Sequence, residues 1–461
     1  MTNTASIVIG LEIAKELYAL GISLLQLGKA REAAFQFRKA LGIAPDFSDA
    51  SLALGHCLHE LREYEEALSV YDRLLTASPL LVAAWNNQGT TLLEMCRYAE
   101  AAASYTRALE LAPALHDAGV ALATCYQALG RVEEALVACD AVLAAAPEHA
   151  EAHWNKSLLL LLNGDYQEGW QEYEWRWQKR NFTSPLRHFS QPRWQGEPAV
   201  GKTVLIHAEQ GFGDTLQFCR YIPLVAARGM RVIFECHLPL VALMKGLTGV
   251  AEVVPMGRPL PGFDLHVPLL SLPLIFGTIV ETIPADVPHF MPPADRLPFW
   301  HSMTADDSQF KAGLCWAGKG YPDPRRSCPV EHLAPLAEID NVSWYSLQVG
   351  WEATLPLPVS DCTGHIHDFG DTAAMISLLD LVITVDTAVA HLAGALGKPT
   401  WIMLPQAPDW RWMMDRDDSP WYPSMRLFRQ AQPNSWPDVI ERVVHALIKC
   451  GSMSCRDIEL G

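Results

Sequence analysis

The sequence predicts an α-helical solenoid followed by an α/β region of two lobes. Three observations support this prediction. The first 180 residues or so repeat with a period of 34, the next segment alternates short apolar runs with helical ones, and this alternation restarts after a Pro-rich stretch. A chain of 461 residues is also longer than one compact domain normally is.

The composition indicates a folded protein and argues against a nucleic-acid partner. Half of the residues are hydrophobic (50%) and the formal net charge is −17, whereas nucleic-acid binding needs clustered Lys and Arg. The 11 Cys show neither CxxC pairs nor zinc spacing, which favours a reducing compartment. The N-terminal segment lacks a basic signal-peptide region, and no apolar run is long enough to span a bilayer. We therefore expect a cytoplasmic protein without a transmembrane segment.

Three kinds of residue recur every 34 positions, and each set of equivalent positions forms a column of the repeat. Prolines recur at Pro45, Pro79, Pro113 and Pro147, small residues at Gly21, Gly55 and Gly89, and aromatic residues at Phe37, Tyr71 and Tyr105. The small residues let two antiparallel helices approach, the aromatic residue fills the gap between them, and proline ends the second helix. This pattern resembles the tetratricopeptide repeat, with about five units over residues 10–180.

Such an array predicts a protein or peptide partner, because its concave face often binds an extended peptide. The alternative is that the repeats only support the C-terminal region or dimerise it, and dimerisation would make the protein a homo-oligomer. The last unit contains Trp170, Trp175 and Trp177. We expect these aromatic residues to dock the array onto the next domain, with a carbohydrate-stacking platform as the alternative.

From residue 200 onward the pattern becomes that of an α/β fold. Strand candidates at 202–209, 231–236, 251–256 and 264–270 predict an N-terminal lobe over residues 200–290. The Pro-rich stretch 281–308 predicts a linker, and strand candidates at 310–318, 343–349, 380–386 and 399–405 predict a second lobe over 305–450. In two Rossmann-like lobes, ligands bind beyond the carboxyl ends of the strands, here in the cleft between the lobes.

The first motif is a glycine-rich turn, with Gly211, Gly213 and Asp214 in the sequence HAEQGFGDTLQ. The glycines let a ligand approach the backbone, and the start of the following helix favours negative charge. Asp214 acts as a general base or caps the helix, and the two roles are compatible. The turn lacks a full GxGxxG fingerprint, which disfavours a dinucleotide cofactor.

The second motif places Asp386, Thr387 and His391 in the sequence ITVDTAVAHLAGALG. The N–H groups at this helix start, with the Thr387 hydroxyl, suit a diphosphate. Asp386 holds sugar hydroxyls or caps the helix. His391 reaches the cleft or lies in the core.

The third motif places Lys319, Arg325 and Arg326 in the sequence WAGKGYPDPRRS, after a predicted strand. Guanidinium groups match phosphate oxygens in a bidentate manner, and a solvated loop is the alternative interpretation. An aromatic and acidic segment over 408–422 contains Asp-x-Asp. We interpret that segment as cleft wall or interdomain packing.

From about residue 200 the chain resembles glycosyltransferase family 9, the heptosyltransferase-like group, and in particular its members fused to tetratricopeptide repeats. The resemblance rests on GFGDTLQF, WAGKGYPDPRRS and ITVDTAVAHLAGALGKP in this order behind the repeats. It implies a GT-B fold, an inverting reaction, and no metal or other cofactor besides the nucleotide-sugar substrate. It also implies that Asp214 is the general base.

The resemblance further implies the donor-binding side chains. Arg326 matches the phosphate-contacting cation, where heptosyltransferases often have Lys, and Ala317 and Gly318 replace a small polar pair. The remaining donor contacts are the Asp386–Thr387 helix start, the nucleobase neighbours Asp368 and Phe369, and Gln348 near the ribose.

The sequence thus predicts an inverting, metal-independent glycosyltransferase that moves a sugar from a nucleotide sugar to a hydroxyl. We favour an acceptor on a protein or peptide held by the repeats. The alternatives are a heptosyltransferase that acts on a surface glycan and a catalytically inactive repeat scaffold that retains a nucleotide-binding cleft. The identities of the donor nucleotide and sugar stay open.

Overall fold

The structure is a computed structural model that describes residues 2–320, 323–351 and 354–451. The chain divides into two compact units, Met1–Leu159 and Leu160–Gly461. The division falls inside the region predicted as repeats, residues 10–180. The last helical segments of that region therefore belong to the second unit.

The first unit consists of consecutive helix pairs. Its helices are α1 (Thr2–Gln26), α2 (Ala30–Ile43), α3 (Ser48–Glu60), α4 (Tyr64–Ala77), α5 (Val82–Glu94), α6 (Tyr98–Leu111), α7 (His116–Ala128), α8 (Val132–Ala145) and α9 (Ala150–Asn163), and α9 continues into the second unit.

The small and aromatic columns of the sequence meet inside the first three helix pairs. A Cβ added at Gly21 would lie 2.5 Å from the ring of Phe37, and one added at Gly55 would lie 2.4 Å from the ring of Tyr71. Both rings are fully buried. The small column exists because the aromatic ring of the partner helix occupies the space that a side chain would need.

The second unit begins with α10 (Tyr166–Tyr173) and a 3-10 turn, Glu174–Gln178. Arg176 of this turn is buried and makes a bidentate ion pair with Glu209, with both N–O distances 2.8 Å. Trp170 is also buried, and its indole N–H donates to the carbonyl of Thr278 at 3.1 Å. These contacts attach the end of the helical region to the lobe that follows.

The first lobe is a parallel four-stranded sheet with strand order β3-β2-β1-β4. Its elements are β1 (Thr203–His207), α11 (Phe212–Phe218), α12 (Ile222–Ala227), β2 (Arg231–Cys236), α13 (Val241–Met244), β3 (Val250–Pro255), β4 (Leu265–Pro268) and α14 (Leu272–Ile275). Each strand lies in or within one residue of an apolar run predicted to be a strand.

The second lobe is a parallel six-stranded sheet with strand order β10-β9-β8-β5-β6-β7. Its elements are α15 (Leu297–Thr304), β5 (Phe310–Cys315), β6 (Val342–Ser346), β7 (Val359–Ser360), α16 (Phe369–Ser377), β8 (Leu381–Val385), α17 (Ala388–Ala395), β9 (Thr400–Leu404), β10 (Met425–Arg429) and α18 (Trp436–Gly451). Strand β5 lies between β8 and β6, so the strand order reverses beside it. Parallel sheets bind ligands at such a reversal.

Three features of the second lobe differ from the sequence prediction. Helix α15 lies in the stretch 281–308 that was predicted as a linker, and strands β7 and β10 were not predicted. Strand β7 has only 2 residues, and β10 has the sequence MRLFR. Neither is a continuous apolar run of the kind that marks the buried strands β8 and β9.

No helix among the described residues is both long and apolar enough to cross a membrane.

Candidate functional site

The glycine-rich turn after β1 rests directly on the helix start after β8. A Cβ added at Gly213 would lie 2.8 Å from Cδ2 of His391, which is closer than a side chain tolerates. Glycine at this position therefore permits the first and second sequence motifs to meet. The contact brings the carboxyl ends of the two sheets together.

Asp214 lies in the first turn of α11 with both carboxylate oxygens engaged. The backbone N–H of Gly211 donates to Oδ2 at 2.8 Å, and the guanidinium of Arg411 donates to Oδ1. The side chain is 17% exposed. Burial raises the pKa of the Asp214 carboxyl above its usual range, and the charge of Arg411 and the Gly211 N–H oppose that rise.

Arg411 is the residue of this site that sequence reasoning missed. It lies in the 3-10 turn Trp410–Trp412, donates from Nη1 to Asp409 at 2.8 Å, and stacks 4.4 Å from the ring centre of Trp410. The segment had been interpreted as cleft wall or packing. In the sequence, Arg411 is only a single Arg between two Trp residues, and this pattern does not indicate that it pairs with Asp214.

Asp386 follows β8 and is 14% exposed. Burial, with the nearby Asp409 carboxylate as the second cause, raises the pKa of Asp386 to about 6, while Arg411 and Arg326 oppose this rise. An ionised Asp386 is therefore destabilised in its surroundings.

His391 is 5% exposed and packs rather than facing open space. Its Nδ1 is 3.0 Å from the hydroxyl of Tyr422, and its ring stacks on Trp412 with centroids 5.5 Å apart. Burial lowers the pKa of the imidazole well below its usual value, so the ring is neutral near pH 7. Its Nε2 lies 4.0 Å from Asp386 Oδ1. The ring thus supports the start of α17.

Thr387 and Gln348 connect the strand ends at the reversal of strand order. The Thr387 hydroxyl lies 3.2 Å from Thr384 Oγ1 and 3.8 Å from Cys315 Sγ. The side-chain carbonyl of Gln348 accepts from Ala317 N at 2.9 Å. The ends of β5, β6 and β8 are therefore held together by polar side chains.

The cations of the third motif have different environments. Arg325 pairs with Asp323 at 2.8 Å, and Lys319 is exposed. Arg326 donates from Nη2 to the carbonyl of Lys319 at 3.1 Å, while its Nε is buried without a hydrogen-bond partner among the described residues. A Cβ added at Gly318 would lie 2.6 Å from that Nε. Arg326 thus keeps an unsatisfied charged donor beside β5.

Asp368 and Phe369 are engaged in packing at the start of α16. Asp368 accepts from Gly370 N at 2.8 Å and lies 3.5 Å from the Arg296 guanidinium. The Phe369 ring contacts Phe212 of the glycine-rich turn, with centroids 5.2 Å apart. The sequence places both residues near a nucleobase, and in the structure Phe369 borders the same turn as Asp214.

The structure thus gathers Asp214, Asp386, Thr387, His391 and Arg326 at the facing strand ends. Within the described ranges, no group of three or more His, Cys, Asp or Glu side chains is arranged to hold a metal ion.

The N-terminal region matches a known family of repeats. Residues 18–81 and 92–168 each match tetratricopeptide-repeat families. The N-terminal region is an array of tetratricopeptide repeats. These repeats precede an α/β region with parallel sheets, as the sequence predicts.

Solved structures similar to the tetratricopeptide-repeat region cover about a third of the chain. MamA from Desulfovibrio magneticus is 20% identical and covers 35% of this chain and 91% of its own, with a TM-score of 0.34. PilF from Pseudomonas aeruginosa is 25% identical and covers 36% of this chain and 75% of its own, with a TM-score of 0.33. A tetratricopeptide-repeat protein from Parabacteroides merdae is 18% identical, covers 36% of this chain and 65% of its own, and has a TM-score of 0.34.

The chain is also similar to Protein FlbA of Caulobacter vibrioides. The two are 28% identical over 353 residues, which is 69% of this chain and 59% of FlbA. The chain therefore spans about three-fifths of the length of that relative.

Proposed function

We propose that the protein is an inverting, metal-independent glycosyltransferase with two lobes in the GT-B arrangement. One observation carries the proposal: the turn that holds the buried carboxylate Asp214 in the first lobe meets the start of α17 in the second lobe, where Arg326 lies near Asp386. The contact between Gly213 and His391 brings these groups to one place. A carboxylate opposite an anion site is what sugar transfer from a nucleoside diphosphate requires.

The proposed reaction breaks one bond and forms another. Asp214 accepts the proton of the acceptor hydroxyl, whose oxygen attacks the anomeric carbon of the donor. The bond from that carbon to the diphosphate oxygen breaks on the opposite face, so the configuration inverts. Arg326 and the N–H groups of the first turn of α17 stabilise the negative charge that develops on the diphosphate.

The unsatisfied Nε of Arg326 supports the diphosphate part of this proposal. A buried guanidinium N–H without a partner costs free energy, which an arriving phosphate oxygen recovers. Lys319, exposed on the same loop, adds positive charge. Arg325 contributes less in this arrangement because Asp323 already holds it.

The tetratricopeptide repeats support a protein or peptide as the acceptor, since an extended concave surface is larger than a small sugar needs. A surface glycan, as for a heptosyltransferase, is the alternative acceptor. The identities of the donor nucleotide and of the sugar have to be determined by experiment.

A second candidate is a nucleotide-binding scaffold without transfer activity. It is favoured by the engagement of both oxygens of Asp214, with Gly211 and Arg411. It is also favoured by Ala317 and Gly318, which have no side-chain donors for a phosphate.

A thermal-shift screen against UDP, GDP, ADP, CMP and dTDP tests the anion site. A nucleotide at a hundred times its dissociation constant adds about 2.7 kcal/mol of apparent stability. We expect one nucleotide to stabilise the wild type and Arg231→Ala, but not Arg326→Ala. Arg231 is a matched control because its side chain is 50% exposed on β2 and pairs with Glu252.

Consumption of the matching nucleotide sugar then separates the two candidates. Stabilisation together with transfer or slow donor hydrolysis supports the glycosyltransferase. Stabilisation without either supports the scaffold, and no stabilisation by any nucleotide contradicts both.

A further inference from the structure

We propose that Arg411 is a positioning residue that assembles the candidate base Asp214 only when the two lobes are in contact. The proposal rests on the proposed function for the role of Asp214, and on the geometry of the ion pair for the rest.

All three nitrogen atoms of the Arg411 guanidinium donate hydrogen bonds. Nε donates to Gln217 Oε1 at 2.5 Å, Nη1 donates to Asp409 Oδ1 at 2.8 Å, and Nη2 donates to Asp214 Oδ1. Asp214 and Gln217 belong to α11 of the first lobe, whereas Arg411 and Asp409 belong to the turn after β9 of the second. One side chain therefore joins the lobes at the candidate base.

The guanidinium is largely shielded from water. Its side chain is 10% exposed and stacks on Trp410, which packs edge-to-face on Trp170 at 5.4 Å. Ion pairs are screened little when they are desolvated in this way. Removal of Arg411 leaves the buried Asp214 carboxylate without its compensating charge.

The surroundings of Asp214 explain why one cation matters so much. Asp409 faces it from the same turn as Arg411, Tyr173 from α10, and His237 from the end of β2. Burial already raises the pKa of Asp214, and Arg411 is the largest opposing influence. Without Arg411, the pKa rises further, and the ionised fraction of the base falls at a given pH.

The pH profile of donor consumption tests this role. In Arg411→Gln we expect the acid limb to move about one to three pH units higher, because an opposite charge at contact distance lowers a carboxyl pKa by that much. Arg411→Lys keeps the positive charge but not the planar, forked geometry of the guanidinium. We therefore expect the acid limb of its pH profile to stay near that of the wild type while kcat falls. Arg416→Gln is the matched control, because Arg416 pairs with Asp418 in the same segment. An unshifted limb in Arg411→Gln, with only kcat reduced, overturns the proposal.

A thermal double-mutant cycle tests the contact without any activity. We expect Arg411→Gln to lower Tm more than the double variant Asp214→Asn with Arg411→Gln, because the double variant no longer leaves the buried Asp214 carboxylate unpaired. Additive shifts in Tm overturn the proposal. If the wild type consumes no donor, the proposed glycosyltransferase fails, whereas this cycle still decides whether Arg411 holds Asp214 across the lobes.

Discussion

At the scale of single residues, the groups that neighbour each side chain decide its chemistry. Asp214 and Asp386 are both buried carboxylates with raised pKa values, yet Asp214 pairs with Arg411 while Asp386 faces the Asp409 carboxylate. Similarly, Arg325 is held by Asp323, whereas its neighbour Arg326 keeps an unpaired Nε among the described residues. The sequence indicates which residues are candidates, and their neighbours in the structure give them different roles.

Replacement of Asp214 by Asn tests the base directly. We expect turnover to fall by roughly 10²–10⁴-fold, the usual contribution of general-base catalysis, while nucleotide binding persists. Asp418→Asn serves as the control because that carboxylate is 69% exposed. Equal turnover of Asp214→Asn and wild type, with normal donor affinity, would assign the base elsewhere.

The raised pKa of Asp386 predicts a specific pH dependence of stability. Its pKa is about 6 against an ordinary 3.8, so ionisation costs the folded state more than the unfolded one. The contribution of Asp386 to stability therefore falls as the pH rises from about 4 to about 6 and is constant above that. In Asp386→Asn this contribution disappears.

We expect Asp386→Asn to be more stable than wild type at pH 8 by roughly 2–3 kcal/mol, with no gain below about pH 4. Urea unfolding at several pH values measures the difference, with the exposed Asp306→Asn as the control. A gain of equal size at pH 4 and pH 8 would contradict the raised pKa.

At the scale of elements, three helix pairs of the first unit place a glycine against an aromatic ring: Gly21 against Phe37, Gly55 against Tyr71 and Gly89 against Tyr105. The spacing of these columns is local in the sequence, which is why they were predictable. The strands of the two lobes were predictable for a related reason, because β8 and β9 are continuous buried apolar runs. Strands β7 and β10 lack such runs, and their pairing depends on neighbours already in place.

Two glycines in the first unit provide a matched test of this packing. Gly55→Ala places a methyl group 2.4 Å from the Tyr71 ring, so overpacking costs about 1–3 kcal/mol. Gly42 in α2 has nothing within 4 Å of such a methyl group, and Gly42→Ala should stabilise the helix by roughly 0.5–1 kcal/mol. Thermal unfolding of the full chain measures both. Equal effects of the two substitutions would show that the ring contact does not set the column.

At the scale of the whole molecule, an aromatic cluster joins the segments of the second unit. Trp170 of α10 packs on Phe218 of the first lobe and on Trp410 and Trp421 of the second, at centroid distances of 6.1, 5.4 and 6.4 Å. The sequence predicts that such tryptophans dock the helical region onto the next domain. In the structure, Trp170 and its helix belong to that second unit.

Trp170→Ala should therefore destabilise the second unit by about 3–5 kcal/mol, because a large buried ring is lost and a cavity remains. Leu186→Ala is the control, since Leu186 is 58% exposed and should change stability little. Calorimetry of the full chain distinguishes the two units by separate transitions. A loss of less than about 1 kcal/mol for Trp170→Ala would mean that the cluster does not hold the lobes.

The sequence by itself determined the repeats, the two parallel sheets and the strand ends at which the candidate site residues lie. These features depend on local periodicity and on the rule that ligands bind at carboxyl ends of parallel strands. The tertiary structure decided that Arg411 reaches Asp214, 197 residues away, and that α10 belongs with the lobes. Such choices depend on which loops meet and how deeply they are buried, because the strength of an ion pair and the pKa of a carboxylate follow from burial and neighbours that no local pattern encodes.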